Sequence, residues 1–100
     1  MRQSKLSGLL SIAAKAGKIE SGEFSTERAV KSGNAYLVIC AENSSENTKK
    51  KFNNMCIYYK VPLYYYGTKE VLGHCIGREM RACMACTDIG LSNAIIKLME

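Results

Sequence analysis

The chain has 100 residues, of which 47% are hydrophobic, and none of its apolar runs approaches the ~20 residues of a membrane-spanning helix. This size and composition predict one compact domain over residues 1–100 and exclude a chain that is disordered throughout. Fourteen Lys and Arg against nine Asp and Glu give a formal charge of +5. This charge is consistent with a polyanionic partner such as nucleic acid, and equally with a basic protein that has no such partner.

Hydrophobic periodicity and glycines divide the first half of the chain into alternating helices and strands. Apolar residues recur at helical spacing from Leu6 to Ala16, and Gly17 is placed to end that helix. The run Ala35–Ala41 is continuously apolar, which is typical of a strand covered on both faces. The predicted elements are a helix over 6–16, a brief edge strand over 18–20, a second helix opened by 21–22 and closed by 32–34, and a strand over 35–41.

The second half continues the same alternation. The third helix has a predicted packing stripe of Phe52, Met55, Cys56 and Tyr59. The predicted elements are a third helix starting near 44–46, a strand over 61–66, a fourth helix after 67–68 that Gly77 ends, a strand over 81–87 and a last helix that begins at Asp88 or Ser92. Regular alternation of this kind predicts the α/β class, as a three-layer α/β/α sandwich with a mixed sheet of about four strands.

Catalytic motifs are not found in the sequence. It has no Ser-His-acid set with plausible partners and no Gly-rich phosphate-binding loop. His74 and Cys75 are neighbours within a predicted helix, where adjacent side chains diverge by about 100°, so they cannot form a nucleophile–base pair. We therefore predict that the protein is not an enzyme and needs no cofactor.

Four of the five cysteines have apolar neighbours and are interpreted as buried side chains in a reducing compartment, which predicts a cytoplasmic protein; they are Cys40, Cys56, Cys83 and Cys86. The total number of cysteines is odd, which does not favour a disulfide framework. Cys83 and Cys86 form a Cys-x-x-Cys pair, but residues three apart in a strand point to opposite faces. Since there is no second pair and His74 is the only histidine, we predict no metal site.

The second helix carries the most informative surface. At about 100° per residue, Phe24, Arg28 and Lys31 fall within about 60° of one another. The small and apolar residues between Thr26 and Gly33 occupy the opposite side and are available to pack on the sheet. An exposed aromatic ring beside two cations, near a helix N-terminus, is suited to RNA. The alternative is that Phe24 folds under the helix end as a hydrophobic staple.

Two further basic segments and a group of tyrosines have separate interpretations. Lys49–Lys51 is expected to be a solvated helix face. The loop Arg78–Arg81 is expected near the start of the second helix, because loops at one edge of an open α/β sheet gather around a common site. Most tyrosines between Tyr58 and Tyr66 are interpreted as packing residues, with Tyr64 and Tyr66 on one strand face and Tyr65 on the other.

The order of several short motifs resembles the kink-turn-binding ribosomal protein family, most closely its bacterial YlxQ-type branch. These motifs are Ser21-Gly22-Glu23, Ile39-Cys40-Ala41-Glu42-Asn43, Tyr58-Tyr59-Lys60-Val61-Pro62, Leu72-Gly73-His74-Cys75-Ile76-Gly77-Arg78-Glu79 and the Ala-rich last strand. The resemblance extends from about Leu6 to Ile96. It implies an α/β/α sandwich without a cofactor and an RNA surface built from the start of the second helix and the late loop.

The resemblance also implies which positions contact RNA. Gly22 matches the family motif, whereas Phe24, Ser25 and Arg28 stand where classical members hold Asn, Glu and Lys, so we predict altered or relaxed kink-turn specificity. Together with the helix-face argument, the candidate RNA-binding residues are Gly22, Glu23, Phe24, Ser25, Arg28, Lys31, Arg78, Glu79, Met80 and Arg81. The expected partner is structured RNA, ribosomal or other, with protein partners in a ribonucleoprotein. The alternative is a protein–protein adaptor associated with the translation or transcription machinery.

Overall fold

Five helices and four strands alternate along the computed structural model, which describes residues 2–100, with side-chain burial described for residues 4–100. The elements are α1 (Arg2–Lys15), β1 (Ile19–Ser21), α2 (Glu23–Lys31), β2 (Leu37–Cys40), α3 (Glu46–Tyr59), β3 (Leu63–Tyr65), α4 (Lys69–Cys75), β4 (Cys83–Cys86) and α5 (Ile89–Met99). Of the two predicted starts of the last helix, Asp88 is correct, because its Oδ2 accepts a hydrogen bond from the Leu91 amide at 2.8 Å.

The four strands form one mixed sheet, as predicted, in the order β1-β4-β2-β3. Strands β2 and β3 run parallel, whereas β4 runs antiparallel to both β1 and β2. The short strand β1 is an edge strand that pairs only with β4. This pairing matters for function because it places the segment after β1 beside the segment before β4.

Helices cover both faces of the sheet, which confirms the three-layer α/β/α sandwich. On one face α1, α4 and α5 pack over a core that includes Leu10, Ile39 and Leu72. On the other face α2 and α3 pack over a core that includes Val38 and Phe52. Val38 and Ile39 are consecutive in β2 and enter opposite cores, as the alternation of side chains along a strand requires. The continuous apolar run is thus explained by burial on both faces.

The two cysteines of the Cys-x-x-Cys segment lie in different cores, as the strand argument predicted. Cys83 packs under α2 and α3, whereas Cys86 packs under α1 and α5. A hydrogen bond with Cys40, whose Sγ lies 3.2 Å away, together with burial raises the pKa of the Cys83 thiol. Burial raises the pKa of Cys56 to about 11. Both thiols therefore stay protonated at neutral pH, as in cysteines that serve as packing residues.

The prediction that most of the tyrosines between Tyr58 and Tyr66 are packing residues is wrong, because Tyr58, Tyr59 and Tyr65 are exposed. Tyr64 and Tyr66 pack against the core under α1 and α4, and Tyr65 takes the other face, as predicted. The prediction that Tyr59 belongs to the packing stripe of α3 is wrong, because this residue is 40% exposed and lies edge-on to Tyr58. Helical periodicity gives the angle of a residue around the helix axis but not how far the core extends along it. Tyr59 is the last residue of α3, and the buried core under this helix does not extend to it.

Among residues 2–100, no helix combines the length and the apolar character that crossing a membrane would require.

Candidate nucleic-acid interface

Gly22 sets the start of α2. Its φ of 92° lies in the left-handed region that favours glycine, so a side chain at this position would strain the backbone. Its amide donates a hydrogen bond to the Cys83 carbonyl at 2.9 Å, and its own carbonyl accepts one from the Thr26 amide at 3.0 Å. The first turn of α2 is therefore attached to the beginning of β4.

The exposed face of α2 carries an aromatic ring and a guanidinium. Thr26, Ala29 and Val30 are buried against the sheet, which leaves Phe24 on the outside with 74% of its surface exposed. The guanidinium carbon of Arg28 lies 5.4 Å from the centre of the Phe24 ring. The outward placement of Phe24 is confirmed, and the staple interpretation is wrong because the residue lies inside the helix rather than before its cap.

The two cations of this face differ in how tightly they are held. Arg28 forms a loose ion pair with Glu20, at 3.9 Å, and its side chain is 65% exposed. Lys31, near the far end of α2, lies 2.7 Å from Glu27. Glu27 also lies 2.7 Å from Lys51 of α3, so one carboxylate joins the two helices. An anion can therefore bind Arg28 at a lower cost in free energy than Lys31, because the ion pair that it must replace is weaker.

We expect the Glu27 carboxyl to titrate well below a free glutamate. Hydrogen bonds from Lys31 and then Lys51 lower the pKa of Glu27 from 4.5 to about 2. Because the folded-state pKa is depressed, the contribution of Glu27 to stability is present above pH 4.5 and is lost as the pH falls toward 2. An NMR titration of the Glu27 carboxyl carbon should give a midpoint near 2, and Lys51→Gln should raise it; a midpoint near 4.5 would contradict the paired geometry.

The late loop lies beside the start of α2, as predicted. Arg81 Nε donates a hydrogen bond to Ser21 Oγ at 3.2 Å, across the pairing of β1 with β4. The backbone amide of Arg81 donates to the Lys69 carbonyl at 3.0 Å, which ties the loop to the first turn of α4. The three preceding residues, Arg78, Glu79 and Met80, are exposed. The loop thus presents Arg81 as a cation held by a hydrogen bond and Arg78 as an exposed cation next to α2.

Gly73 positions this loop, although it is not among the residues predicted from the sequence. A Cβ added at Gly73 would lie 1.2 Å from the Glu79 carbonyl oxygen, so the loop backbone occupies the space of a side chain. The Arg78 amide also donates to the Gly73 carbonyl at 2.8 Å. A glycine inside a helical pattern was the available signal, since such a residue often marks a close backbone approach.

Glu23 has a structural role in addition to its position at the start of α2. Its Oε2 accepts a hydrogen bond from Thr48 Oγ1 at 3.1 Å. Thr48 Oγ1 in turn accepts one from Ser45 Oγ at 2.9 Å, and Ser45 caps α3 through the Thr48 amide. A series of hydrogen bonds between side chains therefore joins the N-terminal ends of α2 and α3. This link becomes visible only in the folded structure.

The predicted residues thus form one surface, with Lys31 at its far end. Gly22, Phe24 and Arg28 lie together, the late loop is beside them, and Lys31 extends the same helix face to the far end of α2. We call this region the α2–loop surface. It consists of Gly22, Glu23, Phe24, Ser25, Arg28, Lys31, Arg78, Glu79, Met80 and Arg81. It combines an exposed ring, cations and helix N–H groups, a set that can bind phosphates and stack on a base.

Comparisons with known proteins agree with this architecture. The sequence model of the ribosomal protein L7Ae/L30e/S12e/Gadd45 family matches residues 4–96. The chain is 40% identical over 92 residues to the RNA-binding protein YlxQ of Bacillus subtilis, which covers 92% of each chain. It is 31% identical over 98 residues to the RNA-binding protein YlxQ of Enterococcus faecium, covering 98% of this chain and 94% of that relative.

A solved structure is also closely similar. A protein of unknown function from Bacillus halodurans superposes with a TM-score of 0.92 and 33% sequence identity, over 95% of this chain and 96% of that one. The match of sequence and fold therefore extends over nearly the whole chain. The protein belongs to the ribosomal protein L7Ae/L30e/S12e/Gadd45 family, in its YlxQ branch.

Proposed function

We propose that this protein is a cytoplasmic, non-catalytic RNA-binding protein that recognises structured RNA, ribosomal or other, through the α2–loop surface. The observation that carries the proposal is the pair formed by Phe24, 74% exposed, and Arg28, whose guanidinium lies 5.4 Å from the ring centre. Because 74% of its surface is exposed, the Phe24 ring contributes little to the core and is free to stack on an unpaired base. The RNA-binding names of the YlxQ relatives support the same assignment.

Different residues of the α2–loop surface are proposed to make different contacts with the RNA. Arg28 can bond to phosphate or to a base edge, and the first-turn amides of α2 offer further donors to an anion. Arg78 brings a second exposed cation from the late loop, while Met80, which is 50% exposed, adds a flexible apolar contact. Such a mixture suits the irregular, partly unstacked shape of a folded RNA better than a regular duplex.

The RNA specificity is proposed to differ from that of the classical family members. Where those members hold an Asn that bonds to a base edge of a sheared G·A pair, this chain has Phe24, which has no amide. Phe24 can replace hydrogen bonds by stacking, which tolerates any base. We therefore expect this protein to bind RNA in which two helices flank a kinked internal loop. Its affinity should depend less on the tandem G·A pairs of that loop.

Binding assays with two variants test this function. The probe is a kink-turn RNA, with a perfect duplex of equal length as the reference. We expect the affinity for the kinked RNA to fall steeply with salt, by about 0.7–0.9 log units per log unit of salt for each phosphate neutralised. Phe24→Ala should weaken binding by about 1–3 kcal/mol, the usual value of one base–aromatic stack. Arg28→Ala should weaken binding and also reduce the salt slope by about one phosphate contact.

Tyr58→Ala is the matched control, because Tyr58 is an aromatic residue of similar exposure, 78%, near the C-terminal end of α3 and outside the α2–loop surface. It should leave the RNA affinity unchanged. Unchanged affinity in Phe24→Ala and Arg28→Ala would show that the α2–loop surface is not the RNA site. The absence of any salt-dependent RNA binding would favour the alternative, a protein–protein adaptor on the same fold.

A further inference from the structure

We propose that a cleft beside α2 holds one unpaired guanine nucleotide that adjoins the structured RNA on the α2–loop surface. This inference rests on the proposed function and adds to it a second contact with a defined base preference. The cleft has a volume of about 600 Å³, which is within the range of small-molecule sites. It is lined by Glu20, Ser25, Arg28, Ala29, Ser32, Asn34, Tyr36 and Thr87, and this lining is mainly polar.

The cleft is continuous with the α2–loop surface. Ser25 and Arg28 belong to both, and the cleft runs from them along the flank of α2 to Ser32 and Tyr36. From Arg28 to Ser32 the helix rises about 6 Å, which is about the length of one extended nucleotide. A strand whose last paired phosphate lies at Arg28 can therefore reach the cleft with its first unpaired residue.

Arg28 supplies the phosphate contact at the mouth of the cleft. Its guanidinium is 3.9 Å from Glu20 Oε1, too far for a strong hydrogen bond, and its side chain is 65% exposed. The guanidinium carries five N–H donors in a fixed fork, so it can hold a phosphate while it still offsets the charge of Glu20. The negative potential of the carboxylate is thereby reduced where the RNA backbone would enter.

Tyr36 supplies the surface for the base. The residue is 43% exposed although it directly precedes the fully buried strand β2, and it lines the cleft. Exposed tyrosine rings stack on bases of any identity. Next to it, Asn34 Nδ2 donates a hydrogen bond to Ser32 Oγ at 3.1 Å, which orients the amide and leaves its Oδ1 as an acceptor.

Glu20 provides the base preference. An ionised carboxylate only accepts hydrogen bonds, and its two oxygens match two neighbouring N–H donors. Guanine presents such a pair on its pairing edge, N1–H beside the N2 amino group, whereas adenine and cytosine present one amino group next to an acceptor. The side chain of Glu20 is 43% exposed and reaches the cleft from β1. A guanine is therefore the base that this lining satisfies best.

The experiment compares the kinked RNA probe with blunt ends against the same RNA carrying a single unpaired G, A, C or U at its 5′ or 3′ end. We expect an added G at one of the two ends to tighten binding by roughly 5-fold or more, as one stacked base does. Tyr36→Ala should remove this gain and leave the affinity for the blunt RNA unchanged. Glu20→Gln should abolish the difference in affinity between the RNA with an added G and the RNA with an added A. Tyr58→Ala, the same replacement at an exposed tyrosine that does not line the cleft, should change neither quantity.

A second measurement separates this inference from the proposed function. Titration with guanosine 5′-monophosphate, followed by NMR, should shift the amide signals of Asn34 and Tyr36 more than adenosine 5′-monophosphate does, and Tyr36→Ala should suppress the shifts. If blunt RNA binds but neither the overhang nor the nucleotide has an effect, the cleft proposal is overturned and the proposed function stands. If no RNA binds while the nucleotide still shifts these signals, the proposed function fails. The cleft would then bind a free guanine nucleotide rather than an RNA end, and this result would also overturn the inference.

Discussion

Gly73→Ala is expected to destabilise the protein by about 1–3 kcal/mol and to weaken RNA binding at the same time. The added Cβ would lie 1.2 Å from the Glu79 carbonyl oxygen, which is a backbone atom that cannot rotate away. The loop 78–81 must therefore move, and with it the Arg78 cation and the hydrogen bond between Arg81 and Ser21. The measurements are urea unfolding and the affinity for the kinked RNA.

Gly8→Ala is the matched control for this experiment. Both glycines lie within helices, but a Cβ at Gly8 would meet nothing within 4 Å. Helix propensity alone favours alanine over glycine by about 0.5–1 kcal/mol, so Gly8→Ala should stabilise the protein. The two variants should thus shift the unfolding midpoint in opposite directions. A stabilised Gly73→Ala protein with normal RNA affinity would contradict the close approach of the loop to α4.

Phe52→Ala is expected to have the largest effect on stability, a loss of about 3–5 kcal/mol. Phe52 is fully buried and is the largest side chain of the core under α2 and α3. For a domain of this size each kcal/mol lowers the melting temperature by roughly 4–8 °C, so the decrease should exceed about 10 °C. Because this core also holds Ala29 and Val30 of α2, RNA affinity should fall as the variant is warmed toward its new melting temperature.

Ile57→Ala provides the comparison for Phe52. Ile57 is on the same helix, but 77% of it is exposed, so its truncation should change the free energy of unfolding by no more than about 0.5 kcal/mol. Thermal unfolding followed by circular dichroism is sufficient for both variants. Equal losses from the two truncations would mean that α3 does not pack through the Phe52 face.

The elements of the fold could be predicted because their signals are local. The apolar run at 35–41 contains β2, and Ser45 and Asp88 cap the helices that follow them. Gly17 and Gly77, with φ values of 74° and 72°, follow the ends of α1 and α4 as expected of helix-ending glycines. In each case the residue acts on neighbours within a few positions, so the sequence alone contains the information.

The candidate site could be predicted only in part, for the same reason. The exposure of Phe24 and Arg28 follows from the angle between residues on one helix, which periodicity gives. The contact of Gly73 with the Glu79 backbone, the ion pair of Glu27 with Lys51 and the bond from Thr48 to Glu23 join different elements. These depend on strand order and helix placement, which no local pattern encodes.

The attachment of Gly22 to Cys83 has a consequence for the order in which the molecule becomes functional during synthesis. The helix α2 is complete once residue 31 has been made, but the strand that fixes its first turn ends at residue 86. Long-range pairings of this kind form late, because the intervening chain must be closed into a loop first. A nascent chain that lacks β4 therefore has the aromatic ring and cations of α2 without the geometry that holds them beside the late loop, and it should not retain RNA.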